Sequence, residues 1–432
     1  MEKLKILVSA YAFHPRAPKW IGHRSGYTSW KLVEQLVRFC DVWVMTTNQN
    51  RDPVLESLSE GGLPEARIRF VNLPKFHKFL RRSFSGQYLC YFLWQRSALE
   101  EARALHSEHQ FDAAHHLTPG PEWFPSFLGA SLPIPFIWGP LLEDEGIPKS
   151  LRRFQSNRLN IKKSWEQTVQ RWARRRHARK KCAQNSRAIL VSDPDTVEKF
   201  PKVDRKKIHF FPSYGIDAVS SLSKMKSSRE KNVFRAIGAG NLTRESGFFE
   251  IIRAFRRFVQ SHPEADFALF GNGPEKNRLE RQILRMDRQG RIRIHPPNEM
   301  ESMRKEMHDS DVFICPVVSQ DESVWVIEAM AAGLPVIGVD FGGRGMHIQD
   351  KWGVKVTPGS SKDMQKDIVH ALEMLYKNPK TRLKMGRAAQ KNAKENYVWE
   401  RLGNKLKRIY GEALLQDEDI RFSRKGEERF FY

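Results

Sequence analysis

The clearest alternation of apolar and polar positions lies between Val312 and Gly345. Val312 to Cys315 is a short apolar run that predicts a buried strand, and Ser319 to Ser323 is a polar loop. A helical stretch carrying Glu328 follows, then a second buried strand, Val336 to Val339, and a turn at Gly342-Gly343. A strand–loop–helix–strand unit of this length is a crossover between parallel strands. It puts the loop at the carboxyl edge of the sheet, where open α/β sheets bind ligands and a helix start offers free N–H groups to an anion. An ordinary structural crossover fits the same stretch equally well, so the rest of the chain has to decide.

Similar patterning recurs on both sides. Lys5 to Ala10 reads as a strand, the loop after it holds Pro15, Pro18, Gly22 and Gly26, and Trp30, Val33, Leu36 and Val37 recur at helical spacing. Val42 to Thr46, Asp112 to Leu117, Ile134 to Trp138 and Ala188 to Ser192 read as further strands. Phe79 to Leu105 is aromatic-rich and helical, suited to core packing or to a membrane-facing surface. The Ser- and Lys-rich stretch 213–231 reads as a linker. Beyond it, strands at Phe234 to Ala239, Asp266 to Phe270 and Arg291 to His295 lead into the opening unit, and helices from Asp363 onward close the chain. The glycine loop after the first strand is not a GxGxxG fingerprint, which disfavours a dinucleotide site.

Composition narrows the class. With 432 residues and 27 glycines, the chain suits a two-domain α/β enzyme. Cys40, Cys90, Cys182 and Cys315 lack CxxC spacing, so neither a zinc site nor a disulfide framework is expected. The first residues run straight into a strand without a signal pattern, and the longest nearly apolar run, Tyr88 to Trp94, falls far short of the roughly 20 residues that span a bilayer. The expected location is the cytoplasm.

The net charge of +23 calls for an anionic partner. Lys149 to Arg187 holds fourteen Lys and Arg against one acid, Glu166, with Trp165, Val169 and Trp172 on one helical face. Such a segment fits contact with an anionic membrane surface, or a solvated helix packed by its two tryptophans. No nucleic-acid module accompanies it, so nucleic acid is not an expected partner. Asp193-Pro194-Asp195 has the spacing of metal-binding carboxylates but reads as a strand exit into a helix cap. His115 and His116 end a strand, where a catalytic histidine and a satisfied structural one are about equally expected.

Several of these stretches together resemble a known family. EAMAAGLPVIGVDFGG (Glu328 to Gly343), GNGP (Gly271 to Pro274), the strand exit Gly240-Asn241-Leu242, WGP (Trp138 to Pro140) and the ending with Trp399, Glu400, Ile409 and Tyr410 are similar to the GT-B glycosyltransferases of group 1, the retaining family 4 type. The resemblance implies two Rossmann-like doubly wound domains facing a central cleft. Residues 1–212 would bind the acceptor, 213–231 link the halves, 232–396 bind the donor, and 397–432 carry a helix back to the first domain, with a tail. It also implies sugar transfer from a nucleotide diphospho-sugar co-substrate to a lipid-linked or saccharide acceptor in cell-surface glycan synthesis. No further cofactor and no metal are implied, and the protein would sit peripherally on the inner face of the membrane.

The family's two acidic positions, eight residues apart, fall on Gln320 and Glu328. Glu328 is expected on the nucleotide ribose, with Gln320 and His116 as the other catalytic candidates. Donor contacts are expected from Gly22, Gly240, Asn241, Arg244, Asp321, Glu322, Ser323 and Val324. Where the family carries an Arg and a Lys beside the diphosphate, this chain has Asn241 and Ser246. Arg244, Arg24 and Arg344 are the cations available to compensate. The departures admit a second reading, a catalytically weakened or partner-dependent homologue.

Overall fold

The computed structural model describes residues 3–16, 24–63, 65–73, 84–117, 120–121, 124–142, 177–217, 233–287, 289–296, 300–315, 323–340 and 347–415. They form two parallel sheets. The first contains β1 (Leu4–Ser9), β2 (Cys40–Thr47), β3 (Arg67–Val71), β4 (Ala113–His116), β5 (Gly120–Pro121), β6 (Phe136–Leu142), β7 (Ser186–Val191) and β8 (Ile208–Phe210). Their order is β3-β2-β1-β4-β6-β7-β8, with β5 on β6. The second contains β9 (Arg235–Asn241), β10 (Asp266–Asn272), β11 (Ile292–His295), β12 (Val312–Cys315), β13 (Val336–Val339) and β14 (Gly353–Val356), in the order β11-β10-β9-β12-β13-β14. Each order reverses direction at its first strand, between β1 and β4 and between β9 and β12. This is the doubly wound pattern expected from the sequence, and in sheets of this kind the reversal is where ligands bind.

The central strands explain why the pattern was readable. β4, β12 and β13 are buried at every position, as strands covered by helices on both faces must be. The aromatic-rich helix is Phe84–His109; it lays Trp94, Ala98, Ala102 and Leu105 onto the first sheet and also buries Cys90, so core packing is its role. Asp193 caps the helix Pro194–Val197, accepting from the Thr196 amide and hydroxyl at 2.7 Å each, as its sequence context predicts.

The last helix, Trp399–Leu415, returns to the first half. Leu402, Leu406, Ile409, Tyr410 and Ala413 lie on one face at helical spacing and join the core cluster of β1, β2 and helix Arg24–Leu36. The two helices pack so closely that a Cβ at Gly403 would stand 2.6 Å from the Gln35 side-chain oxygen. Only glycine fits there without a shift.

Two segments run between the sheets, and they are joined to each other. The Ile216 amide donates to the Tyr397 carbonyl at 2.8 Å, and the Trp399 amide donates to the Ile216 carbonyl at 3.0 Å. The Thr28 hydroxyl donates to the Ser213 carbonyl at 3.0 Å, and Lys31 pairs with Asp217 at 3.4 Å. Helix Arg24–Leu36 therefore holds the crossing from the first-sheet side.

Candidate functional site

At the reversal of the second sheet, β9 ends in Gly240-Asn241 and β10 in Gly271-Asn272, paired in register. The loops beyond them touch: a Cβ on Gly271 would lie 2.5 Å from the Gly240 carbonyl and 2.7 Å from Leu242. The glycine of GNGP thus lets two loop exits meet at the sheet edge. The next turn brings Thr243 back onto Asn241, its amide donating to the Asn241 carbonyl at 2.8 Å. Ser246 is buried, and its hydroxyl donates to the Thr243 carbonyl at 2.8 Å. It closes its own turn and presents nothing outward. Arg244, partly exposed in the same turn, has no hydrogen-bond or ion-pair partner among the described residues. Helix Phe248–Ser261 starts directly after it, so unsatisfied amides and one cation stand together at this edge.

Glu328 sits on helix Ser323–Ala331, which follows β12, and is 1% exposed. Arg304, on helix Met300–His308, grips it like a fork: Nε donates to Oε2 and a terminal nitrogen to Oε1, both at 2.9 Å. The Tyr214 hydroxyl donates to Oε1 at 3.0 Å. Burial by itself would lower the Arg304 guanidinium pKa, but the hydrogen bonds and charge of Glu328 outweigh it, and the net direction is upward. A paired, hydrogen-bonded carboxylate can stay ionised at such depth where a lone one would be strongly disfavoured.

Neither Arg304 nor Tyr214 belongs to any sequence motif. One lies on the helix after β11 and the other on the crossing segment, and only the tertiary fold brings them to Glu328. Val324 is buried in the core of the second half, so its side chain faces the core, and Ser323 opens the helix. Gly22, Gln320, Asp321, Glu322 and Arg344 lie outside the described residues, as does nearly all of the basic segment before His177.

The first sheet presents a different edge. His116 ends β4 and is 2% exposed, with one ring nitrogen 2.6 Å from the Tyr91 hydroxyl and the other 3.1 Å from the Ser9 hydroxyl. Burial, with His115 adjoining, pushes its pKa down to about 3. His115 is fully buried; Nε2–H donates to the Gly139 carbonyl at 2.8 Å and Nδ1 accepts from the Tyr410 hydroxyl at 2.7 Å. Burial lowers its pKa to about 4 despite the bond to Gly139. His115 therefore ties the WGP stretch of β6 to the returning helix, a structural role. His116 reaches the sheet edge, but beneath Tyr91, with both nitrogens engaged.

A further buried histidine stands beside the crossing. His347 Nδ1 lies 2.8 Å from the Tyr397 hydroxyl, and burial lowers its pKa to about 4. The two crossing segments thus each reach a polar group in the second half through a tyrosine hydroxyl, Tyr214 to Glu328 and Tyr397 to His347.

The family model described as glycosyl transferases group 1 matches residues 222–392, the part that holds β9 to β14. A glycosyltransferase of Methanocaldococcus jannaschii is 27% identical over 150 residues, covering 33% of this chain and 36% of its own length. The chain therefore spans only about a third of that relative. Among solved structures, a glycosyltransferase from Rickettsia africae superposes with a TM-score of 0.65 at 13% identity, over 96% of this chain and 100% of the other. An Anabaena protein, HepE, solved with UDP and glucose, gives 0.58 at 14% identity, over 94% of this chain and 99% of the other. These structural likenesses speak for the fold.

Proposed function

Since the chain belongs to the group 1 glycosyl transferases with the GT-B fold, we propose that it moves a sugar from a nucleoside diphosphate sugar to an acceptor with retention of anomeric configuration. The observation that carries this reading is Glu328: an ionised carboxylate, held by Arg304 and Tyr214, beside the reversal of the second sheet. A carboxylate there accepts hydrogen bonds from ribose hydroxyls, and charge-assisted bonds of this kind are the strong ones.

The leaving diphosphate gains negative charge in the transition state and needs donors already in place. Arg244 and the amides at the start of helices Phe248–Ser261 and Ser323–Ala331 supply them from this chain. In this reading Gly240, Asn241, Ser323 and Val324 offer the donor their backbone groups, and Gln320, Asp321, Glu322 and Gly22 are further proposed donor contacts. In this reading residues 232–396 hold the donor, 1–212 the acceptor, 213–231 link the two, and 397–432 carry the returning helix and the tail. The aromatic edge of the first sheet, where Tyr91 packs on His116 and Tyr11 and Phe124 pack on Tyr91, is the acceptor side in this reading.

The acceptor is proposed to be a lipid-linked saccharide of cell-surface glycan synthesis, met at the inner face of the membrane by the basic segment Lys149 to Arg187. No helix among the described residues is long and apolar enough to cross a membrane, and the reading rests on the net charge of +23 and its concentration in that segment. The test is incubation of the purified chain with a panel of nucleoside diphosphate sugars and vesicles of anionic lipid bearing lipid-linked saccharides. Transfer from one donor, increased by anionic over neutral vesicles, is expected. Release or transfer of no sugar under any combination contradicts it.

One observation favours the second reading, a weakened or partner-dependent homologue: Ser246 is buried against its own turn, so no cation stands where the family has a lysine. That reading requires turnover to appear only when a protein partner is added. Turnover by the isolated chain removes it.

A further inference from the structure

We propose that Tyr214 and Arg304 are positioning residues that aim Glu328 at the ribose and link donor binding to the crossing between the two halves; this rests on the donor reading above. A carboxylate oxygen has two acceptor positions. Oε1 of Glu328 is filled on both, by the Tyr214 hydroxyl at 3.0 Å and an Arg304 nitrogen at 2.9 Å. Among the described residues Oε2 receives Arg304 Nε alone, at 2.9 Å. Among the described residues one position on Oε2 is left open, and it is the place for a ribose hydroxyl. The three bonds fix the plane of the carboxylate, so the open position has a defined direction. Arg304 also carries the positive charge that keeps the buried group ionised and a strong acceptor.

The link to the crossing comes from where Tyr214 is attached. It lies between Ser213, whose carbonyl accepts from Thr28, and Ile216, which exchanges backbone hydrogen bonds with Tyr397 and Trp399. Its ring packs edge-on against Trp399 at a centroid distance of 6.0 Å. Tyr214 thus stands at the junction of helix Arg24–Leu36, the outgoing segment and the returning segment. Rotation of the halves about this junction moves its hydroxyl relative to Glu328. A ribose bound on Oε2 favours the arrangement in which Tyr214 stays on Oε1, which gives the donor a direct hold on the hinge.

The experiment compares binding of uridine diphosphate and of its 2′,3′-dideoxy analogue, with the guanosine pair in parallel. Calorimetry is run on wild type, Tyr214→Phe and Arg304→Lys. Tyr214→Phe keeps the ring and its packing, and circular dichroism with thermal melting checks that both variants fold. Wild type is expected to prefer the ribose form by about tenfold or more, the value of one hydrogen bond to a charged group. In Tyr214→Phe the preference is expected to fall to within about threefold, with Arg304→Lys lower still. A merely structural role would weaken both ligands alike and leave their ratio unchanged, and that result overturns the proposal. Equal binding of the two ligands by wild type also overturns it while leaving the donor site standing. Absence of binding by any nucleoside diphosphate removes the donor reading and this inference together.

Discussion

The two sheet edges solve the same burial problem in opposite ways. At the first, His115 and His116 are kept neutral: tyrosine and serine hydroxyls and a backbone carbonyl satisfy the rings, and burial holds their pKa values near 4 and 3. At the second, Glu328 is kept charged, because Arg304 brings an opposite charge on two hydrogen bonds. A neutral network tolerates loss of one member at modest cost, whereas an ion pair does not, since the surviving charge has nowhere to go. The first edge should therefore answer to pH and the second to substitution.

The largest effect is expected at the ion pair. Arg304→Ala strands a buried carboxylate and should lower stability by about 3 kcal/mol, the lower end for a buried pair because the Arg304 side chain is one-quarter exposed. Urea denaturation measures it, and Glu328→Gln, which leaves no stranded anion, should cost clearly less. Equal losses would mean that packing, not charge, is what the pair contributes.

Acid comes next and acts on the other edge. The folded-state pKa values of His115 and His116 lie below the ordinary 6.5, so between pH 6.5 and about 4 the unfolded chain binds more protons than the folded one. Stability then falls as pH falls through this window, by about 1.4 kcal/mol per pH unit for each histidine. His347 adds a third such group beside the crossing. Thermal melting from pH 7 to 4.5 should show the decline, and His116→Gln should make its slope shallower. An unchanged slope would mean that His116 takes up its proton within the fold.

Smaller effects test the contacts around each edge. Gly271→Ala sets a Cβ against the Gly240 carbonyl and should cost about 2 kcal/mol through backbone displacement, weakening nucleotide binding with it. Tyr410→Phe removes the hydroxyl that His115 accepts and should cost about 1 kcal/mol with no change in nucleotide binding. If the two variants had the same effect on binding, the separation between the edges would be lost.

How far the fold was legible follows from burial. β12 and β13, covered on both faces, appear in the sequence as unbroken apolar runs with the bounds the structure has. β3, β8 and β14 did not register, and each has a physical reason. β3 and β8 are edge strands of their sheet, with alternating Arg67-Ile68-Arg69-Phe70 in one and three residues in the other, while β14 is the short Gly353-Val354-Lys355-Val356. Short strands buried on one side carry too little pattern.

The site divides in the same manner. Glu328 is legible as a candidate because it stands in the stretch that carries the family resemblance, contiguous with both flanking strands. Its partners are 24 and 114 residues away, and nothing local marks an arginine or a tyrosine as destined for a carboxylate. The inward turn of Ser246 was also out of reach of sequence, since only the structure shows that its hydroxyl closes a turn. His116 stood at the right edge in the sequence, but the cover of Tyr91, on a helix 25 residues away, was not visible there.

The central claim is that the second sheet's edge, built on Glu328, binds a nucleoside diphosphate sugar. Titration calorimetry of wild type and Glu328→Ala against a panel of uridine, guanosine and adenosine diphosphate sugars tests it most directly. Saturable binding of at least one donor by wild type, weakened about tenfold or more in the variant, is the predicted result. Binding of none, or equal binding by both proteins, would contradict it.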